Sequence, residues 1–335
     1  MRKKGKRPAK RYRTKYDSIS KRVSFSFSNL CDIYLTAKQA EGLADNTMQS
    51  KRRVIQLFLK HNGNSKPEEF TTEDARNYVN YLRYEHVKHA NNSYVRDQYK
   101  TAGMSIGGVN THLSVLRAMF RFLYEEKYIE NNPFERVKML KEPTDKIEAL
   151  TLQQARRLIK EPDRRTYSGF RDAVLYTLML DCGLRLGEAI QLKIDDIDFT
   201  SNTIYIPASN AKGKKGRFVP FSQKTSRLLR ELRVEVEDFA TPYMFTTIYG
   251  NPLEPSRVRT QMKRYADLAG ITGVRVSPHI LRHTFAKYYL LNGGDLMTLQ
   301  KILGHSSLDM VRRYVQMTGT DINAQHGKFS PIKGI

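Results

Sequence analysis

The stretch SPHILRHTFAKYYLLNGG, residues 277–294, spells out one helix together with its punctuation. Ser277 stands where an N-cap belongs, Pro278 suits the first helical position, and Gly293 suits the turn that leaves the helix. Helical spacing puts His279 and Arg282 on one face at the N-terminal end, where unpaired N–H groups and the helix dipole favour an anion. Leu281, Phe285 and Tyr288 form an apolar stripe on another face. Downstream, LGHSSLDMVRRYV (303–315) ends an amphipathic helix at Gly304 and places His305 directly after it. SSLD (306–309) then opens a short helix that carries Tyr314. Three of the chain's eight histidines fall between 279 and 305, so these stretches hold a metal, an anion, or nothing.

Metal fits poorly. His279 and His283 are four apart, but the residues between them are Ile280, Leu281 and Arg282, without the glutamate of a zinc-protease motif. Neither Cys31 nor Cys182 lies in a CxxC pair, and a guanidinium beside a metal cation would be repelled. No metal and no other cofactor is expected. HVKH (86–89) stands in a polar region without further ligands and reads as surface. Phosphate fits better, because an arginine fork matches phosphate oxygens and His279 and His305 can donate hydrogen bonds. A phenol such as Tyr314 could then serve as nucleophile, given a base or a strongly cationic site to offset a pKa of ~10. Most of the 19 tyrosines must serve packing or surface roles, so the case rests on the whole constellation.

The bulk properties point the same way. Lys and Arg number 57 against 34 Asp and Glu, a formal charge of +23. Residues 1–25 hold eleven of those bases and one acid, Asp17, so an excess of positive charge persists through the rest of the chain. A basic tail alone could be a solvated anchor, whereas a basic globular chain favours a polyanion, above all nucleic acid. No stretch approaches the ~20 apolar residues of a membrane helix. The basic N-terminus has no apolar segment behind it, and two distant cysteines suggest a reduced protein. A cytoplasmic, nucleoid-associated protein without membrane contact is expected.

The sequence divides at a charged, proline-bearing segment. Residues 1–24 read as a flexible basic arm, and 25–138 as a helical domain of four helices. In that domain Asn46 or Thr47 is expected to cap the second helix, and Thr71 or Thr72 the third. The fourth starts near Asn110, after a polar loop at about 88–105, and Pro133 breaks the helical run. Residues 139–150 form the linker. Residues 151–318 begin with helices, including RDAVLYTLMLDCG stopped by Gly183. NTIYIP (202–207) and RFVPF (217–221) then flank a turn-rich basic tip, a hairpin, before helices resume. Residues 319–335 are a tail. The class is mainly α with a small β-hairpin: a helical N-terminal domain plus a mixed α/β (α+β) C-terminal domain.

The ordered set GLRLGEAIQL (183–192), AKGKKGRFVP (211–220), HILRH (279–283), LGH (303–305) and Tyr314 resembles the tyrosine recombinase (phage integrase) family of site-specific DNA recombinases. NTHLSVLRAMFRFLYEEKYIENNP is similar to that family's core-binding, SAM-like domain, so the resemblance spans both domains. It implies that Arg185, Lys212, His279, Arg282 and His305 are catalytic, with Glu188 supporting them and Tyr314 as nucleophile. Lys214 and Lys215 stand close enough to compete with Lys212 for the role of general acid. Lys214, Lys215 and Arg217 of the hairpin, with Lys51, Arg52 and Arg53 of the second helix, are the candidate DNA contacts. The resemblance also implies double-stranded DNA carrying specific recombination sites, a homotetramer on paired sites, DNA-bending accessory proteins, and a tail that docks on a neighbouring protomer. A type IB topoisomerase-like nicking-closing enzyme and a non-catalytic DNA-binding regulator are the alternatives.

Overall fold

In the computed structural model the described residues are 25–63, 65–88, 90, 93, 96–142, 148–210, 215–304, 307, 311, 323, 326, 327, 330 and 332. The chain splits into two compact units, Met1–Thr144 and Asp145–Ile335.

The first unit is built from α1 (Phe27–Ala40), α2 (Asp45–Asn62), α3 (Thr72–Asn80) and α4 (Ile106–Glu125). Ser26 and Thr71 cap α1 and α3 through reciprocal bonds with Asn29 and Asp74. Asn46 and Thr47 do not cap α2: the N-cap is Ala44, whose methyl group accepts no hydrogen bond, and Asp45 lies already in the first turn. α4 starts earlier than its apolar run suggests, because Ser105 caps the Gly108 N–H and Gly107 and Gly108 are taken into the first turn. After α3 the chain widens into a π-helical turn, Tyr81–Glu85, closed by His86 N–H on the Tyr81 carbonyl at 2.8 Å. The polar loop that follows is drawn shut at its base. Val87 bridges Ala102, and Gly103 and Met104 donate to His86 and Leu82. Gly103 has φ +77°, and a Cβ there would stand 2.2 Å from the Arg83 carbonyl oxygen, so only glycine fits. The core centres on Phe58, which meets Phe27, Phe70, Tyr78, Phe120 and Phe134 mostly edge to face.

The second unit comprises α5 (Leu152–Lys160), α6 (Tyr167–Cys182), α7 (Leu186–Ile190), strands β1 (Ile197–Asp198), β2 (Thr203–Ile206) and β3 (Arg217–Pro220), then α8 (Gln223–Glu237), α9 (Pro255–Leu268), α10 (Pro278–Leu291) and α11 (Leu296–Leu303). The expected hairpin is present, but β1 adds a third antiparallel strand, in the order β1-β2-β3. β1 is only two residues long, too short for an alternating pattern to announce it. α6 is buried nearly all round, packed by α5, α7, α8 and α10, which explains why its apolar residues are not confined to one stripe. Leu150, at the end of the expected linker, is buried in this core, and its N–H donates to Thr284 Oγ1 at 2.9 Å. The fold is therefore mainly helical with one small sheet.

Candidate active site

α6 ends at Gly183, whose φ of 63° turns the chain sharply back; a Cβ there would lie 2.3 Å from a Phe285 ring carbon. That reversal leads through buried Leu184 to Arg185, the N-cap of α7. Glu188, one turn on, accepts from the Arg185 backbone N–H and from Arg185 Nη1, both at 2.9 Å. Glu188 is only 2% exposed, and a second guanidinium reaches it: Arg217 Nη1 at 3.0 Å and Nη2 at 2.7 Å. Burial pushes the Glu188 carboxyl up, but Arg217 foremost and Arg185 with it outweigh that and hold it below the usual glutamate range.

Arg282 arrives from α10 and is 3% exposed. It donates from Nη1 to the Gly183 carbonyl and from Nη2 to the Leu303 carbonyl, each at 2.8 Å. Leu303 ends α11, and Gly304 follows with φ 62°. Arg217 Nε donates to the Ile302 carbonyl at 2.8 Å, and Arg185 Nη2 reaches the Gly304 carbonyl at 3.4 Å. Three consecutive carbonyls at the C-terminal end of one helix thus receive three arginines from three different segments. Such carbonyls lack helical partners and carry the negative end of the dipole, so guanidinium groups suit them.

The structure therefore brings Arg185, Glu188 and Arg282 into one cluster. His279 is exposed on the first turn of α10, three residues before Arg282. Ser277 is its N-cap residue, but its hydroxyl makes no capping bond. Lys215 is exposed. Lys212, Lys214, His305, Tyr314 and most of the expected SSLD helix and tail lie outside the described residues.

Arg217, expected among the DNA contacts, has a side chain only 10% exposed and all three of its nitrogens engaged on Glu188 and Ile302. The strand period carried the signal: Val219 points inward and Phe218 outward, so Arg217 shares the inner face. In the first unit, Arg52 and Arg53 are exposed, whereas Lys51 leans on the Tyr34 ring and donates to its hydroxyl at 2.8 Å. α9 carries a further basic face. Its buried Val258, Met262 and Ala266 leave Arg257, Arg259, Lys263 and Arg264 exposed, a pattern that four-residue apolar spacing announces.

The second unit thus gathers three arginines around one buried carboxylate and one helix end, and known proteins give that arrangement its context. The phage integrase family matches residues 148–320, and the phage integrase N-terminal SAM-like domain matches residues 30–130. The tyrosine recombinase XerC of Oceanobacillus iheyensis is 29% identical over 291 residues, covering 83% of this chain and 94% of that one. The tyrosine recombinase XerC of Thermodesulfovibrio yellowstonii is 30% identical over 239 residues, covering 69% of this chain and 78% of that one. Among solved structures, a lambda integrase dimer bound to a COC′ core site aligns with TM-score 0.69 and 17% identity, over 88% of this chain and 97% of that one. The Tn1549 transposon integrase with circular intermediate DNA aligns with TM-score 0.69 and 18% identity, over 90% and 99%. At that identity the structures testify to the shared fold. The chain belongs to the phage integrase family: it is a tyrosine recombinase, an enzyme that cuts and rejoins DNA strands.

Proposed function

We propose that Tyr314 is the nucleophile and that Arg185, Lys212, His279, Arg282 and His305 form its catalytic set, with Glu188 in support. The phenol oxygen attacks the scissile phosphorus and the 5′ oxygen leaves, giving a 3′-phosphotyrosyl link and a free 5′-hydroxyl. Arg185, Arg282 and His305 stabilise charge on the non-bridging oxygens. His279 takes the phenolic proton and Lys212 supplies one to the departing 5′ oxygen, which is otherwise a poor alkoxide leaving group. The phosphotyrosine keeps the bond energy, so a second 5′-hydroxyl reverses the step and joins new strands without ATP or metal.

The observation that carries this reading is the meeting of Arg185 and Arg282 on the Gly304 and Leu303 carbonyls, directly ahead of His305 in the chain. Residues far apart in sequence thereby converge on the segment that leads to Tyr314. Double-stranded DNA with specific recombination sites is the substrate, and Arg52, Arg53, Lys215 and the α9 face grip its backbone. Four copies act on two paired sites, with DNA-bending proteins as accessories, in the cytoplasm at the nucleoid. The tail, 319–335, docks on a neighbouring protomer; the apolar groove lined by Leu180, Phe221, Phe285, Tyr288, Tyr289 and Ile302 is suited to receive it. Among the described residues no helix is long and apolar enough to cross a membrane.

The test is a nicked duplex that traps covalent protein. Tyr314→Phe is expected to bind it with unchanged affinity and to yield no adduct, and an adduct that survives the substitution overturns the assignment. Relaxation of supercoiled plasmid lacking any recombination site would instead mark a topoisomerase.

A further inference from the structure

We propose that Arg217 is a positioning residue of the strand-cutting site, sharing the carboxylate that Arg185 binds so that Arg185 keeps part of its positive charge for the scissile phosphate. The proposal rests on the reaction given above and adds a residue to it.

Glu188 is one carboxylate between two guanidinium groups. With Arg217 in place the three side chains carry one net positive charge, and the carboxylate is shared. Without Arg217, Glu188 and Arg185 would form a neutral one-to-one pair, which weakens the field of Arg185 at a phosphate. The grip of Arg217 is also mechanical. It begins β3, binds α7 through Glu188, and binds the end of α11 through Ile302. The turn after α11 is shaped around it: a Cβ at Gly304 would stand 3.1 Å from Arg217 Cδ, Cζ and Nε. One planar fork thus fastens the segment bearing Arg185 to the segment that leads into His305. Lysine, a single point charge, cannot span the two carboxylate oxygens and the Ile302 carbonyl together.

The test uses the full chain and a duplex recovered from a randomised library by binding to that chain. The duplex is nicked, and its mapped scissile position carries either an ordinary phosphodiester or a methylphosphonate, whose non-bridging positions hold no charge. On the phosphodiester, Arg217→Lys and Arg217→Met are expected to slow adduct formation on the order of 100-fold, with DNA affinity nearly unchanged. On the methylphosphonate, which asks little of a cation, the loss is expected to shrink to a few-fold, as for Arg185→Ala. The double variant Arg217→Met/Glu188→Gln removes the carboxylate that neutralises Arg185, and is expected to outpace Arg217→Met alone. Equal losses on both substrates, with no recovery in the double variant, overturn the proposal in favour of a purely structural role. So does an undiminished rate on the phosphodiester, or an affinity loss that accounts for the rate. A wild-type chain that forms no adduct at all overturns the strand-cutting reading itself, a distinct result.

Discussion

Leu303 accepts a hydrogen bond from Arg282 at 2.8 Å across 21 residues, and the carbonyls on either side of it accept Arg217 and Arg185. The end of α11 is therefore the common anchor of the arginine cluster.

Arg282→Lys tests that anchor. An ammonium cannot bridge the Gly183 and Leu303 carbonyls, so one buried acceptor loses its partner. We expect a stability loss of about 1–3 kcal/mol by urea unfolding and adduct formation slowed at least ~100-fold. Unchanged stability would show that these two bonds contribute nothing to the fold.

Gly183→Ala probes the turn that delivers Arg185. A left-handed alanine costs about 1–2 kcal/mol, and its Cβ must push aside Phe285 and Leu303. The summed loss is expected at about 2–4 kcal/mol, read from denaturant midpoints. Gly187→Ala, whose Cβ meets nothing within 4 Å inside α7, is expected to stay near neutral in the same assay.

Glu188 sets a pH dependence with a definite sign. Its folded pKa lies below the unfolded one, so its contribution to stability is fully present above about pH 4.3 and is lost as pH falls through the lower folded value. Glu188→Gln is expected to be less stable than wild type at neutral pH, the gap closing as pH drops from about 4.3. Burial pushes Asp172 up in spite of Arg171, which gives the opposite slope, so the two proteins are compared with each other rather than against a flat baseline. A gap that widens in acid refutes the assignment.

The cysteines should be inert. Burial pushes the Cys31 thiol up to about 12 and Cys182 well above its ordinary value, and the thiolate is the reactive form. At neutral pH a thiol reagent is expected to label neither in the native protein and both after unfolding. Rapid labelling of a native thiol contradicts this.

The sequence conveyed the long elements and the ordered motif residues. Apolar spacing marked α1, α2, α4 and α10, a dense apolar run marked α6, and the glycines at 183 and 304 marked the turns beside the arginines. What stayed hidden depends on tertiary placement. Ala44 caps α2 by default, since Asp45 already lies inside the helix. The π-helical turn after α3 closes on a bond to His86 that no helical period foretells. Arg217 looked like one more base on a basic hairpin; only the burial of Glu188 across 29 residues of chain gives it a counterion. A charge count cannot tell an arginine that meets solvent from one that meets a carboxylate.

The end of α11 has a dynamic consequence. This helix is eight residues long, and unwinding its last turn displaces the carbonyls on which all three arginines rest. Opening of that turn removes one bond from each arginine at once and leaves only the Glu188 and Gly183 anchors, so the local stability of a short helix bears on the whole cluster. Any partner that pulls on the chain beyond Gly304 has a direct lever on whether the three arginines stay assembled.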